Sequence, residues 1–99
     1  MVRYVISPLA EQDIEAIGDY IAQDNPHRAL TFIAELRNQC AKIAASPKAC
    51  RLRPELGVNI RSYALGNYVI FFQDKHDMLC IVRVLHGAMD IETRFSEKR

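Results

Sequence analysis

The chain has 99 residues, of which 49% are hydrophobic and 25% charged, and its net charge is +1. This composition is typical of one small globular domain and excludes a disordered or fibrous protein. No apolar run approaches the ~18 residues of a membrane span, and residues 1–10 lack the features of a signal peptide. We therefore expect a single domain, residues 1–99, in the cytoplasm and without a membrane partner.

The charges are distributed unevenly along the chain. Up to Ala45, four basic residues face six acidic ones, whereas from Ser46 onward nine basic residues face six acidic ones. The positive potential therefore belongs to the second half of the chain. Such an excess suits an acidic partner or nucleic acid, although the charge alone decides nothing.

The sequence contains no motif for a cofactor or a metal ion. Its three cysteines, Cys40, Cys50 and Cys80, form no C-x-x-C pair, so neither a disulfide framework nor a zinc site is predicted. A phosphate loop, a dinucleotide fingerprint and a Ser/His/Asp order are also absent from the sequence. We expect no cofactor and no metal.

Two helices are predicted after a short first strand. Residues 4–6 form the strand, and Ser7-Pro8 then begins a helix, with serine as N-cap and proline at the first helical position. Asn25-Pro26 repeats this signal. Both segments carry apolar residues at alternating spacings of three and four, which draws one apolar stripe on each helix. Because the connection is very short, we expect an antiparallel helical hairpin that packs on a sheet.

The second half of the chain predicts three antiparallel strands. Residues 59–63, 68–73 and 78–86 are rich in β-branched and aromatic side chains, and residues 66–67 (Gly-Asn) form a two-residue turn. A short edge strand around Leu52 is compatible with the pattern. Two of the three runs are apolar on both faces, whereas two helices cover only one face of a sheet. The expected domain is therefore α+β with two layers in the order βααβββ, and its second sheet face needs a partner.

Arg83 is the polar exception in the last strand. Strict alternation places it on one face with Ile81 and Leu85. A buried guanidinium is costly unless it is paired, so Arg83 either forms an ion pair with a residue such as Glu55 or Asp74, or binds an anionic ligand.

Two more polar side chains of the strands are candidates for function. Arg61, one hairpin earlier, likewise either forms an ion pair or binds an anionic ligand. If it shares a face with Arg83, the two form a small cationic site suited to carboxylate or phosphate. His86 ends the last strand, where an imidazole is either a hydrogen-bonded structural group or a base.

The order and spacing of several segments are more specific than any one of them. The segments are residues 6–8 (ISP), 10–14 (AEQDI), 53–57 (RPELG), 60–62 (IRS), 66–72 (GNYVIFF) and 81–88 (IVRVLHGA). On these residues, which span nearly the whole chain, the sequence resembles the ParE branch of the ParE/RelE toxin superfamily from bacterial type II toxin–antitoxin modules. The sharpest single element is RVLHG at residues 83–87.

This resemblance implies a RelE/ParE-like domain in which the first strand lies beside the last and the helical hairpin covers one face. It also implies a cognate, ParD-like antitoxin that wraps an extended segment and an amphipathic helix around the toxin in a hetero-oligomer. We expect the antitoxin to contact apolar residues of the hairpin and the last strand, namely Ile17, Ile21, Ile33, Leu36, Ile81 and Leu85.

The ParE branch implies a toxin that is not an enzyme. Its members inhibit DNA gyrase by stabilising the cleaved complex of gyrase with its DNA, which requires a shaped, charged surface rather than a catalytic set. The basic residues that we expect to bind the target are Arg61, Arg83, Arg94, Lys98 and Arg99.

The RelE branch gives the alternative activity. Its members cleave messenger RNA in the ribosome, and the candidates for catalysis in this sequence are Arg61, Arg83 and His86. Phe95 stands where that branch commonly has a proton-transferring residue, and phenylalanine neither donates nor accepts a proton. We therefore expect a gyrase inhibitor, with a ribonuclease as the alternative and a non-toxic binding module of the same fold as the third hypothesis.

Overall fold

The computed structural model describes residues 3–75, 77–88 and 91–96, and in the last range it describes the side chains of Ile91, Thr93 and Phe95. A five-stranded sheet carries two long helices on one face and a short C-terminal helix on the other. The elements in chain order are β1 Arg3–Ile6, α1 Pro8–Ala22, α2 Pro26–Ala45, a 3₁₀ turn Pro47–Ala49, β2 Arg51–Leu52, β3 Ile60–Leu65, β4 Tyr68–Lys75, β5 Met78–His86 and α3 Ile91–Ser96.

Both long helices begin where the sequence predicts. The Ser7 hydroxyl accepts a hydrogen bond from the backbone N–H of Ala10 at 3.1 Å, and Asn25 Oδ1 accepts one from the N–H of Arg28 at 3.0 Å. Each cap satisfies a donor that has no partner inside its own helix. The Ser7 hydroxyl also donates to the carbonyl of Val82 at 3.1 Å, which fixes the start of α1 against β5.

The strand order is β1-β5-β4-β3-β2, so the first strand lies beside the last, as the resemblance implied. The pairing is antiparallel except at one edge, where β1 runs parallel to β5. The two-residue turn at Gly66-Asn67 is confirmed, since Leu65 pairs with Tyr68 across it and Gly66 has a φ of 60°. β2 adds the short edge strand around Leu52 to the expected order.

Two separate apolar clusters fill the domain, one on each face of the sheet. The stripes of α1 and α2 pack on the first face, where Ile14, Leu36 and Ile70 are almost completely buried. The second cluster consists of Leu56, Ile60, Phe71, Leu85 and Phe95. The expectation that only a partner covers the second face is therefore wrong, because α3 and the 53–57 loop cover this part of it.

A β-bulge in β5 changes which side chains share a face. Phe71 pairs with Arg83 and Phe72 pairs with Ile81, so Val82 is an extra residue between the two pairs. An extra residue shifts the alternation of side chains by one position. Ile81 consequently lies in the cluster under the helices and Leu85 in the cluster of the second face. The common face predicted for these two residues is wrong.

The Cys40 thiol lies in the core under the hairpin, and burial raises its pKa from 9.0 to about 11. Because the folded state favours the protonated thiol, this contribution to stability is complete below about pH 9 and is lost as the pH rises toward 11. We expect the free energy of unfolding, measured in urea, to fall across this interval. The Cys40→Ala variant should show a weaker decline, and an unchanged decline would contradict the assignment to this thiol.

Candidate functional site

Arg83 is 7% exposed and forms a bidentate ion pair with Asp13 of α1. Its Nε donates to Asp13 Oδ2 at 2.8 Å and its Nη2 donates to Oδ1 at 3.0 Å. Oδ2 also accepts the backbone N–H of Val84 at 3.0 Å, so one carboxylate holds both a side chain and the backbone of β5. The sequence suggested Glu55 or Asp74 as the ion-pair partner. Asp13 lies 70 positions earlier, and only the fold brings it to β5.

Arg61 and Arg83 do not form the shared cationic site that the sequence left open. Arg61 pairs with Phe72 and Arg83 with Phe71, and these two phenylalanines belong to clusters on opposite faces. Directly opposed residues in a sheet point to the same side, so the two arginines leave the sheet on different sides. Arg83 meets Asp13 at the edge of β5 beyond the end of β1, where the Asp13 carboxylate also accepts the Val84 N–H. Arg61 Nη1 instead donates to the carbonyl of Cys50 at 2.8 Å.

Arg61 lies in an open concavity of about 660 Å³ at the far end of β3 and β4. Its other lining residues are Lys48, Asn59, Gln73, Asp74 and Lys75. The chain thus brings together three basic side chains, two amides and one carboxylate. Nothing in the local sequence pattern indicates this grouping, because Lys48 and Lys75 are 27 positions apart and come to one concavity only through the pairing of β2 with β3 and of β3 with β4.

His86 lies at the opposite end of the sheet. Its Nδ1 accepts the backbone N–H of Ala88 at 3.0 Å, and its ring stands edge-on to Tyr68 at 5.2 Å. A nitrogen that accepts a hydrogen bond carries no proton, so only Nε2 remains as the donor of a neutral imidazole. Burial, and secondarily Tyr20, raises the pKa of Tyr68. The choice between a structural group and a base at His86 stays a prediction.

An apolar groove of about 310 Å³ runs beside His86, between the end of α1 and the end of β5. Ala16, Ile17, Tyr20 and Tyr68 line it, and Tyr20 is 68% exposed. Asp13, which holds Arg83, forms one of its borders. The groove is a place where the described part of the chain offers apolar surface to solvent.

The six residues expected to bind an antitoxin lie in different environments. Ile17 and Leu85 line the apolar groove, although each is largely buried. Ile21 and Ile33 are partly buried at the margin of the first cluster. Leu36 and Ile81 are 0% exposed in the core. For these last two residues, antitoxin binding stays a prediction that no accessible surface supports.

The remaining predicted target-binding residues are those of the C-terminal tail. Arg94 belongs to α3, but its side chain lies outside what the structure describes, as do Lys98 and Arg99 altogether. Among the described residues, no group of three or more metal-binding side chains is found, and no helix there is long and apolar enough to cross a membrane.

Solved structures share this architecture. A chain from the chromosomal ParDE toxin–antitoxin system of P. aeruginosa superimposes with a TM-score of 0.74 at 21% sequence identity, covering 87% of this chain and 96% of that one. A chain from the RelBE2 toxin–antitoxin complex of Mycobacterium tuberculosis gives a TM-score of 0.57 at 20% identity, with 86% and 96% covered. The protein therefore has the fold found in the ParDE and RelBE toxin–antitoxin systems.

The sequence then places the chain within this group. A family model for the ParE toxin of type II toxin–antitoxin systems, parDE, matches residues 4–91, and the chain belongs to the ParE toxin family. A search of curated proteins gives no significant match. The resemblance drawn from the sequence segments is confirmed.

Proposed function

We propose that this chain is a toxin that inhibits DNA gyrase by binding and not by catalysis of its own. The observation that carries the proposal is the dispersal of the candidate catalytic residues. Arg83 is held by Asp13 and points to the other side of the sheet from Arg61. His86 pairs with Tyr68 and Arg61 pairs with Phe72. These two partners are four positions apart on β4, so His86 and Arg61 lie about 13 Å apart along the strands.

Cleavage of a phosphodiester needs its proton-transferring group, and the cations that stabilise the transition state, around one reacting centre. The dispersal of Arg61, Arg83 and His86 supports a protein that acts through a binding surface. The excess of basic residues in the second half supports contact with the gyrase–DNA complex, for which Arg61, Arg94, Lys98 and Arg99 remain our proposed contacts. For Arg83, the ion pair supports a role in positioning β5 against α1.

The apolar groove supports a cognate antitoxin as the second part of the proposal. β1 pairs with β5 only as far as Ile81, so residues 82–86 lie beyond the end of β1. Ser7 and Asp13 already occupy the Val82 carbonyl and the Val84 N–H. An antitoxin segment is therefore expected to place apolar side chains in the groove at Ile17 and Tyr20 rather than add a fully paired strand there.

A gyrase cleavage assay tests this function. We expect linear DNA to accumulate when supercoiled plasmid is incubated with purified gyrase and this protein, and the product of the neighbouring open reading frame to suppress it. The Lys98→Glu/Arg99→Glu variant should yield several-fold less linear DNA because target binding is electrostatic. Lys42→Glu, an exposed change on α2, serves as the control and should behave like the wild type. Degraded transcripts together with intact supercoiling would support the ribonuclease alternative instead.

A further inference from the structure

The concavity at the far end of β3 and β4 groups Lys48 and Lys75, which the proposed function does not use, with Arg61, which it does. We propose that this concavity, with Lys48, Arg61 and Lys75 as its basic groups, binds the phosphodiester backbone of nucleic acid. The inference goes beyond the proposed function and does not depend on it, because it concerns direct contact between this chain and a polyanion.

The two lysines of the concavity are available, whereas Arg53 and Arg83 are engaged in ion pairs. Lys48 and Lys75 are exposed, and within the described ranges neither side chain forms a hydrogen bond or an ion pair. By contrast, Arg53 is paired with Glu55 at 2.7 Å and Arg83 with Asp13 at 2.8 Å. Charges that the fold does not neutralise are those left for a ligand.

Arg61 adds a fixed donor between the two flexible lysines. The bond from its Nη1 to the Cys50 carbonyl orients the guanidinium, and Arg61 makes no other hydrogen bond to the residues described. Its Nε and Nη2 therefore remain for an anion, and two N–H groups of one guanidinium match two oxygens of a phosphate. A donor that is already oriented loses less side-chain entropy on binding.

The other lining residues fit the same ligand. Phosphate oxygens accept hydrogen bonds from lysine, arginine, asparagine and glutamine side chains, and all four types line this concavity. The Asn59 backbone has a φ of 60°, and Gln73 Nε2 donates to the Val58 carbonyl at 2.9 Å, which fixes that amide. Asp74 opposes an anion, but three cations against one carboxylate leave a positive concavity.

An extended polyanion suits this concavity better than a small ion. Its volume of about 660 Å³ is roughly twice that of the apolar groove, and it is open to solvent. Exposed lysines hold a single phosphate weakly because water and salt screen them. A nucleic-acid backbone, in contrast, presents phosphates at regular intervals and releases bound counterions when several are neutralised together.

Fluorescence anisotropy with labelled 20-mers tests the proposal. Duplex DNA, single-stranded DNA and single-stranded RNA of one sequence are titrated with the full-length protein between 50 and 200 mM salt. The Lys48→Gln/Lys75→Gln variant should bind more than about tenfold more weakly at 0.1 M salt. For this variant, the slope of the logarithm of the binding constant against the logarithm of the salt concentration should become shallower by about 1.8 for duplex DNA and about 1.4 for single strands. Each of the two lost phosphate contacts contributes about 0.9 or 0.7 to that slope. The three probes show which form of the backbone is preferred.

The Lys42→Gln variant is the control for position, because it removes an exposed lysine charge outside the concavity and should bind like the wild type. Thermal unfolding of each variant checks that the fold is kept. Equal affinities for the double variant and the control, or binding of polyglutamate but of no nucleic acid, would overturn the proposal. If the gyrase assay is negative but the protein binds DNA and this binding depends on the two lysines, the proposed function is contradicted and this inference is supported.

Discussion

Replacement of Arg83 by alanine is expected to lower the free energy of unfolding by about 3–5 kcal/mol, the usual cost of removing one partner of a buried ion pair. In the wild type the Arg83 guanidinium binds both oxygens of the Asp13 carboxylate, which is 13% exposed. In the variant this carboxylate keeps only the hydrogen bond from the Val84 N–H. Urea unfolding followed by circular dichroism measures the loss. For a domain of this size, each kcal/mol also lowers Tm by roughly 4–8 °C.

The surface ion pair between Arg37 and Glu11 provides the matched control on the same helices. Its side chains are 45% and 48% exposed, so Arg37→Ala should cost less than about 1 kcal/mol. The Asp13→Leu/Arg83→Met double variant should recover part of the stability lost in Arg83→Ala, because it removes the carboxylate together with its partner. The recovery is incomplete because the Val84 N–H loses its acceptor. Similar small losses for Arg83→Ala and Arg37→Ala would contradict a stabilising role for the Asp13–Arg83 pair.

This ion pair also changes how toxicity data on Arg83 are interpreted. A toxin that loses activity on Arg83→Ala has lost either a contact to its target or the attachment of β5 to α1. The folded double variant separates the two explanations, because it places apolar side chains between β5 and α1 in place of the ion pair and lacks the Arg83 charge. Retained toxicity in the folded double variant would assign Arg83 to positioning, and lost toxicity would assign it to the target contact.

Most of the fold follows from local signals that the sequence displays directly. Ser7-Pro8 and Asn25-Pro26 begin helices because side-chain caps and proline act within one turn. Gly66-Asn67 forms the hairpin turn for an equally local reason, since glycine tolerates the positive φ found there. The bulge at Val82 has no such signal, because an extra residue is defined only against the partner strand.

The candidate site was less predictable because its contacts are long-range. Arg83 was recognisable as a polar exception in an apolar strand, but its partner comes from α1. The cover of the second sheet face comes from α3; a short helix near residues 90–95 is compatible with the sequence, but six residues are too few for a periodic pattern that shows which face the helix covers. The concavity brings Lys48, in the 3₁₀ turn, to Lys75 through the pairing of β2, β3 and β4, and the sequence pattern does not show which side chains meet at the strand ends.

Phe95→Ala is the second change with a large expected effect, again about 3–5 kcal/mol in the free energy of unfolding. The ring is 1% exposed and meets Phe71 edge-to-face at 5.4 Å. A six-residue helix is not stable by itself, so α3 depends on this contact for its place on the sheet. Removing the ring should uncover Phe71 and Ile60, which urea unfolding and increased binding of a hydrophobic dye together measure.

The Phe95→Leu and Phe95→Tyr variants distinguish packing from chemistry at this position. Leucine keeps part of the apolar volume and should cost less than alanine, and equal losses would contradict a packing role. Tyrosine provides the proton-transferring group that RelE-like toxins commonly carry in this region. Because the ring lies against Phe71 in the second cluster, away from the side of the sheet to which Arg61 points, we expect Phe95→Tyr to leave messenger RNA intact in a ribosome assay. Cleavage by this variant would show that the ribonuclease arrangement is one substitution away and would contradict a surface built only for binding.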